Sequence, residues 1–432
     1  MLVLQAGSAA TPGPLCLGHC EILLTRFTPH NLRMTRIRFS TAGESHGPAL
    51  VAIIEGVPAG LALLAADVNR ELARRQQGYG RGRRMQIEQD AIEFLSGVRA
   101  GGTLGSPIGM LIRNKDWKNW SEIMDPAPRE EDSTEGRKRQ LTRVRPGHAD
   151  LSGIFKYDRA DARDILERAS ARETTARVAA GAVARRLLAE FGITIGSHVV
   201  HLGGIDAIAP DELPIDINAA ADPSPLRTLD KAAEARMIER IDQLKRDGNT
   251  AGGICEVVVR GLPVGLGSHV SWDRKLDGRL ARAIVSIPAV KAMEIGAGFD
   301  AARKSGADVH DEIVPAPGNP RTGNVRRRTN RAGGLEGGIT TGEPLVLHVA
   351  MKPISTLMSP LATIDAMTGK AAEAAAERSD VTAVPALGVI AEAMTALVLA
   401  DAFTEKFGGD SLGELRRNFD AYISHIQTRF SS

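Results

Sequence analysis

Residues 254–260, ICEVVVR, set β-branched and apolar side chains in partial alternation with polar ones, the period-two pattern of a half-buried strand. Similar runs predict strands at 49–56, 86–98, 107–113, 193–202 and 344–351. Elsewhere a helical pattern takes over. Residues 161–190 are rich in Ala, Leu, Arg and Glu and stop before Gly192, which suits a C-terminal cap. Residues 229–247 carry Ile238, Ile241 and Leu244 on one face and end at Gly248. Residues 273–287 gather Leu276, Leu280, Ala283 and Ile284 and stop at Pro288. The segment 385–406 is apolar on nearly every side, which predicts a helix covered from several directions. It also holds Glu392 and Asp401, so it reads as a buried helix rather than a membrane span.

The strands come in groups instead of alternating strictly with helices, which favours an α+β fold over a doubly wound sheet. Residues 34–432 show no short repeat and no linker, and they read as one domain. Residues 1–33 differ: their apolar stretch follows no basic segment, and Met34 opens what resembles a natural start. They read as a disordered extension or a start-site artefact. The stretch 115–140 is a polar, proline-containing loop, and compact domains rarely keep so long a loop without a use for it.

Composition narrows the function. The net charge of +2 gives no general case for nucleic-acid binding, and 4% aromatic residues leave little for base stacking. Three cysteines, Cys16, Cys20 and Cys255, argue against a disulfide framework and fit a reducing cytoplasm. Cys16, His19 and Cys20 lack the second pair that a structural metal site needs. The 45 glycines cluster in loops, which points to close approach of backbone to ligand.

The chemistry gathers in five places. In RRQQGYGRGRR, residues 74–84, five arginines interleave with three glycines, combining planar guanidinium forks with exposed backbone donors. This suits a small anion, with a solvated basic loop as the plainer alternative. No Gly-x4-Gly-Lys-Ser/Thr phosphate loop occurs. His46 lies in STAGESHGPAL and His148 in TRVRPGHADLSG, two small-residue turns that could each hold a general acid or base. Within ERASARETTARVAAGA, Arg168 and Arg172 are four apart and are expected to share a helix face, with Glu173 pairing with Arg177. Residues 327–356 are glycine-rich and end in Lys352, Pro353, Ile354, Ser355 and Thr356, whose ammonium, hydroxyls and amides could hold a phosphate. ERSDVTAVPA places Arg378 and Asp380 ahead of the apolar helix. These features together suggest non-hydrolytic chemistry on a polyanion.

The segments AGESHGPAL, RRQQGYGRGRRM, RPGHADLSG, RASARETTARVAAGAVARRLL, DRKLDGRLARAIVSIPAVKAMEIGAGF, RTNRAGGLEGGITTGEPLVLHVAMKPIST and ERSDVTAVPA carry a resemblance to the chorismate synthase family, from about Met34 to Phe407. The resemblance implies elimination of phosphate from 5-enolpyruvylshikimate-3-phosphate to give chorismate, with reduced FMN required and no net redox change. It implies a β-α-β sandwich with long helices between antiparallel sheets, and a cytoplasmic homotetramer. Its catalytic residues map to His46, His148 and Asp380, and its substrate-anion ligands to Ser45, Arg75, Arg81, Arg84 and Arg145. Its flavin contacts map to Arg168, Ala169, Ser170, Pro288, Ala289, Gly337, Lys352 to Thr356 and Arg378. Ala169 stands where the family has a serine, and Pro288 where asparagine is common. Two other readings stay open: an RNA-binding protein using the Arg/Gly loops, and a flavin-dependent oxidoreductase.

Overall fold

The computed structural model describes residues 36–82, 89–128, 140–375 and 380–430. The expectations for residues 1–33, Arg84 and Arg378 lie outside them. One antiparallel sheet orders its strands Arg38–Ala42, Ala49–Glu55, Ile108–Arg113 and Ile92–Phe94. Alternation in ALVAIIE buries Leu50, Ala52 and Ile54. The register sets them opposite Ile112, Met110 and Ile108, so one face becomes a continuous apolar stripe.

A second antiparallel sheet orders Val290–Ile295, Leu345–Met351, Gly253–Arg260, Thr194–Leu202 and Ile205–Asp206. Its buried side chains Leu345, Leu347 and Val349 pair with Val259, Val257 and Cys255. The helix Val384–Phe407 packs on this sheet, and the helix Thr174–Ala189 packs on that helix and on the strand Ala49–Glu55. The two helices meet at Gly181, where an added Cβ would lie 2.4 Å from the Cβ of Ala393, so only glycine permits the approach. Val384–Phe407 is long and apolar enough to span a bilayer, yet 94% of its most apolar window is buried inside the protein. Its two buried acids are paired. Asp401 accepts the backbone N–H of Ile37 at 3.0 Å and an Arg279 hydrogen bond, and Glu392 accepts from Arg74, Arg185 and Arg227.

Several expectations change. Residues 161–190 do not form one helix. Ser170 turns extended (φ −67°, ψ 147°) and its Oγ accepts the Arg172 N–H at 3.2 Å. This side-chain cap splits the run into Arg163–Ala169, a 3-10 turn and Thr174–Ala189. Arg168 and Arg172 therefore share no face: Arg168 is exposed and Arg172 buried. Arg177 does pair with Glu173 at 2.8 Å, but Glu173 is itself buried. Arg74 and Arg75 belong to an unforeseen helix, Ala65–Gln76, at whose start Asp67 accepts the Leu64 N–H. A second unforeseen helix, Leu412–Thr428, starts where the Ser411 Oγ accepts the Glu414 N–H and carries Phe419 onto Phe191, Phe403 and Phe407. The strand expected at 86–98 shortens to Ile92–Phe94 and Val98–Arg99 among the described residues.

On the second sheet Glu256 stands between two histidines, 3.0 Å from His198 Nε2 and 3.0 Å from His348 Nε2. Burial opposes its ionisation, but hydrogen bonds from His198 and His348 and their charge hold the carboxyl at about 2. The Glu256 hydrogen bond raises His348 against the effect of burial. Glu256 thus contributes stability above its ordinary 4.5, lost as pH falls toward 2; His348 contributes below its ordinary 6.5, lost as pH rises through its raised value. We expect Glu256→Gln to lower the unfolding free energy by roughly 2–3 kcal/mol near pH 5.5. The gap should narrow as pH rises past the His348 titration. Urea unfolding over a pH series measures it; a gap constant across pH 5–9 would show that the row's charges contribute nothing.

Candidate active site

His46 lies in the loop joining the strands Arg38–Ala42 and Ala49–Glu55. Gly43 enters that loop at φ 105°, where a Cβ would sit 2.4 Å from the Ala49 carbonyl oxygen. The helix Arg163–Ala169 grips the loop from one side. Glu167 accepts the Ser45 N–H through its backbone carbonyl at 2.9 Å and the His46 N–H through Oε2 at 2.9 Å. Its two carboxylate oxygens lie 3.0 and 2.9 Å from His46 Nδ1. Arg163 donates to Glu167 Oε1 at 2.9 Å and lies 4.9 Å over the Trp120 ring, which in turn stacks on His46 at 3.9 Å. Burial alone would favour a neutral Glu167, but the hydrogen bond and charge of His46 and the charge of Arg163 hold its carboxyl below the ordinary range.

Neighbouring groups complete the loop's support. Arg168 donates to the Thr41 and Gly43 carbonyls at 2.9 and 3.2 Å, and Ser170 donates to Ser45 Oγ at 3.1 Å. Asn114 donates to the Gly47 carbonyl at 2.8 Å while accepting twice from Arg172, at 3.0 and 2.8 Å.

His148 repeats the pattern in a second turn. Its Nδ1 lies 2.5 Å from Asp150 Oδ1, and Asp150 opens the helix Asp150–Tyr157. Arg145 donates to the same carboxylate from its backbone N–H, Nε and Nη2 at 3.1, 2.8 and 3.1 Å. Against burial, the His148 and Arg145 hydrogen bonds hold Asp150 well below the usual carboxylate range. Arg145 also reaches Thr356 Oγ1 at 3.1 Å. Lys352 and Ser355 both donate to the Gly147 carbonyl, at 2.5 and 2.9 Å. The backbone N–H of Lys352 donates to the Ala289 carbonyl at 3.0 Å, beside Pro288, and Thr250 donates to the Ile354 carbonyl at 2.8 Å. The structure therefore joins Pro288–Ala289 and Lys352–Thr356, Pro353 included, to the His148 turn. Gly337 stands apart, exposed at the turn of a small hairpin. Burial and then the nearby Lys291 push the Lys352 ammonium down, so an anion beside it would be welcome.

The third group is cationic. Arg75 is 3% exposed; its Nε donates to Thr174 at 3.0 Å and its Nη2 to the Ala171 carbonyl at 2.8 Å. Its Nη1 is buried without a hydrogen-bond partner among the described residues, 3.9 Å from Asp90. Burial, then the charge of Arg81, pushes the Arg75 guanidinium down to about 9. Arg81 pairs with Asp380 at 3.0 Å, and the same aspartate accepts the Gly82 N–H at 2.6 Å. Arg172 bonds Asp90 at 2.6 Å and, through Asn114, reaches the His46 loop. Arg75, Arg81 and Arg172 thus gather around Asp90 and Asp380, a set of guanidinium groups suited to an anion. Asp380, to which the resemblance maps a catalytic acid, also anchors Arg81.

Sequence reasoning missed Glu167, Asp150, Trp120, Asn114 and Arg163. Asp150 stands two residues after His148, a local signal that could have been read. Glu167 is 121 residues from His46, and nothing in the sequence pairs them.

The chorismate synthase family model matches residues 37–404. The chorismate synthase of Symbiobacterium thermophilum is 56% identical over 396 residues, covering 91% of this chain and all of its own. That of Thermus thermophilus is 55% identical over 391 residues, covering 90% of this chain and all of its own. A crystal structure of a chorismate synthase superposes with a TM-score of 0.72 at 42% identity, covering 91% of this chain and 98% of its own. The chain belongs to the chorismate synthase family.

Proposed function

We propose that the protein eliminates phosphate and a ring hydrogen from 5-enolpyruvylshikimate-3-phosphate in an anti-1,4 sense, giving chorismate. The observation that carries this, within that family, is the buried Arg75, pushed down by burial and by the charge of Arg81, in a group of arginines linked to the loop of a histidine gripped by a carboxylate. The enzyme is a carbon–oxygen lyase of the shikimate pathway. Arg75, Arg81 and Arg145, with Arg84 and Ser45, hold the substrate's anionic groups. Guanidinium forks match phosphate and carboxylate oxygens bidentately, and Arg75 Nη1, without a hydrogen-bond partner among the described residues, gains one when substrate binds. His46 and His148 exchange protons with the departing phosphate and the cofactor, and Asp380 takes up a proton near Arg81.

Reduced FMN fits the residues present. Lys352, discouraged by burial and by Lys291, is suited to an anionic cofactor, and its own segment packs against the His148 turn. Arg168, Ser170, the Pro288–Ala289 backbone, Gly337, Lys352 to Thr356 and Arg378 would hold it. Held by those residues, the group would supply transient electron donation to the substrate with no net redox change. Ala169 offers no hydroxyl and Pro288 no side-chain amide, each a loss of roughly 1 kcal/mol if the missing contact is not replaced.

The same proposal extends to architecture. The fold is the family's β-α-β sandwich, supported by the helix Val384–Phe407 against the second sheet and the helix Thr174–Ala189, which touches strands of both. The working form is a cytoplasmic homotetramer that binds neither nucleic acid nor membrane. Residues 34–432 form the catalytic domain, with residues 1–33 outside it.

The decisive test is chorismate formed anaerobically from limiting photoreduced FMN. Many products per flavin are expected, and none with oxidised FMN. One product per flavin, or NADPH consumed in proportion to product, would favour the oxidoreductase instead. Arg75→Ala should weaken substrate binding by ~2–5 kcal/mol while changing FMN affinity little. Calorimetric titration of each ligand decides this, since equal losses would place Arg75 in the flavin site. His46→Ala and His148→Ala should each lower turnover by roughly 10²-fold or more in folded protein. Unchanged turnover in both would remove the histidines from the mechanism.

A further inference from the structure

His46 and His148 sit in different loops, yet each is held in the same way. A buried carboxylate faces Nδ1, and an arginine shares that carboxylate: Arg163 with Glu167, and Arg145 with Asp150. Glu167 and Asp150 are 2% and 1% exposed. We propose that Glu167 and Asp150 are positioning residues that hold both imidazoles in one tautomer, with the proton on Nδ1 and with Nε2 as the atom through which protons pass to and from ligands. This rests on the catalytic reading of the two histidines given above.

The argument runs through donor and acceptor inventories. An ionised carboxylate only accepts, so a nitrogen that bonds to it must carry the proton. Glu167 and Asp150 are both held ionised by their surroundings. His148 adds a conflict that the geometry resolves. Its Nδ1 lies 2.5 Å from Asp150 Oδ1 and 3.1 Å from Arg145 Nη2. It cannot donate to the first and accept from the second at once. Arg145 Nη2 already donates to Asp150 Oδ1 at 3.1 Å, and the carboxylate contact is much the shorter, so Nδ1 donates to Asp150.

The arginines have a separate effect. Each neutralises much of its carboxylate's charge, so the carboxylate orients the ring without acting as a strong base towards it. At His46, orientation is further fixed by the backbone N–H bond to the same Glu167 and by the Trp120 ring stacked at 3.9 Å. Both carboxylates come from one stretch of chain. Asp150 opens the helix Asp150–Tyr157 and Glu167 lies in the next helix, Arg163–Ala169. Val144, Ile154 and Ala162 form a small separate core under this stretch. One helical pair therefore sets both rings, an arrangement by which the two proton-transfer steps keep a common geometry.

The test compares wild type with Glu167→Gln and Asp150→Asn. Each amide keeps the shape of the carboxylate but can donate to Nδ1, which permits the opposite tautomer. The readouts are kcat, KM for 5-enolpyruvylshikimate-3-phosphate, and the ¹⁵N shifts of His46 and His148 in histidine-labelled enzyme, assigned with His46→Ala and His148→Ala. In wild type both rings should show a protonated Nδ1 and an unprotonated Nε2 at high pH. Each amide variant should lose kcat by roughly 10²-fold or more with KM little changed, and its own histidine should shift toward the Nε2–H form. Three results would overturn the proposal: an Nε2–H tautomer for either wild-type ring, wild-type kcat in both variants, or lost kcat with unchanged tautomers. The first needs neither amide variant, so it decides even if Glu167→Gln and Asp150→Asn prevent folding. If His46→Ala and His148→Ala themselves retain turnover, the catalytic reading fails instead, whatever the tautomers.

Discussion

Glu392 is the constraint on which the rest of this structure depends. It lies fully buried in the middle of the apolar helix Val384–Phe407, and an isolated carboxylate there would be prohibitively costly. Three guanidinium groups answer it: Arg74 from the helix Ala65–Gln76, Arg185 from Thr174–Ala189, and Arg227 from the chain beyond the second sheet's strand Thr194–Leu202. Ser197 Oγ donates at 2.6 Å from within that strand. Glu71 and Asp222 join the arginines, so three acids face three bases. Burial pushes against ionisation, and the arginine charges more than reverse it. Removing one partner from such a group typically costs ~3–5 kcal/mol. The network therefore fixes the helices relative to one another more specifically than apolar packing alone would.

The site inherits that fixation. Arg74 and Arg75 are neighbours, and a helix turns about 100° between them. With Arg74 pinned to Glu392, Arg75 is turned toward Thr174 and Ala171, at the start of the helix that carries Arg185. From there Arg172 and Asn114 carry the connection to the Ser45–Gly47 backbone. A core ion network and the buried Arg75 thus share one short helix. A disturbance at Glu392 would reach Arg75 through rigid elements rather than through solvent.

The loops that hold chemistry follow a different rule. Neither histidine loop has regular structure of its own, so each is ordered by side chains from elsewhere. Glu167, Asn114 and Arg168 bond the backbone around His46; Lys352 and Ser355 bond the Gly147 carbonyl beside His148. Lys352 was expected to await a phosphate, and in the structure it also serves the turn. The same ammonium can meet both demands, because the Gly147 carbonyl and the Ser355 hydroxyl take two of its three donors.

Much of the architecture is local and was therefore legible in the sequence. Alternation in ALVAIIE and LVLHVAM buries one face of each strand, whatever the partner. The apolar run after Val384, with Glu392 and Asp401 inside it, required burial on all sides and counter-charges somewhere. The arginine-glycine loop and the two turn histidines were visible as residue types suited to anions and protons. What only the tertiary structure decided is pairing across distance. The break at Ser170 depended on whether a hydroxyl would cap Arg172, a choice that helix propensity does not see. The partnership of His46 with Glu167, 121 residues apart, and of Arg74 with Glu392, 318 apart, leaves no mark on local periodicity. The sequence by itself determined which side chains must be buried and which chemistry was on hand. The fold decided which charge meets which, because Coulombic and hydrogen-bond terms depend on separation in space and not along the chain.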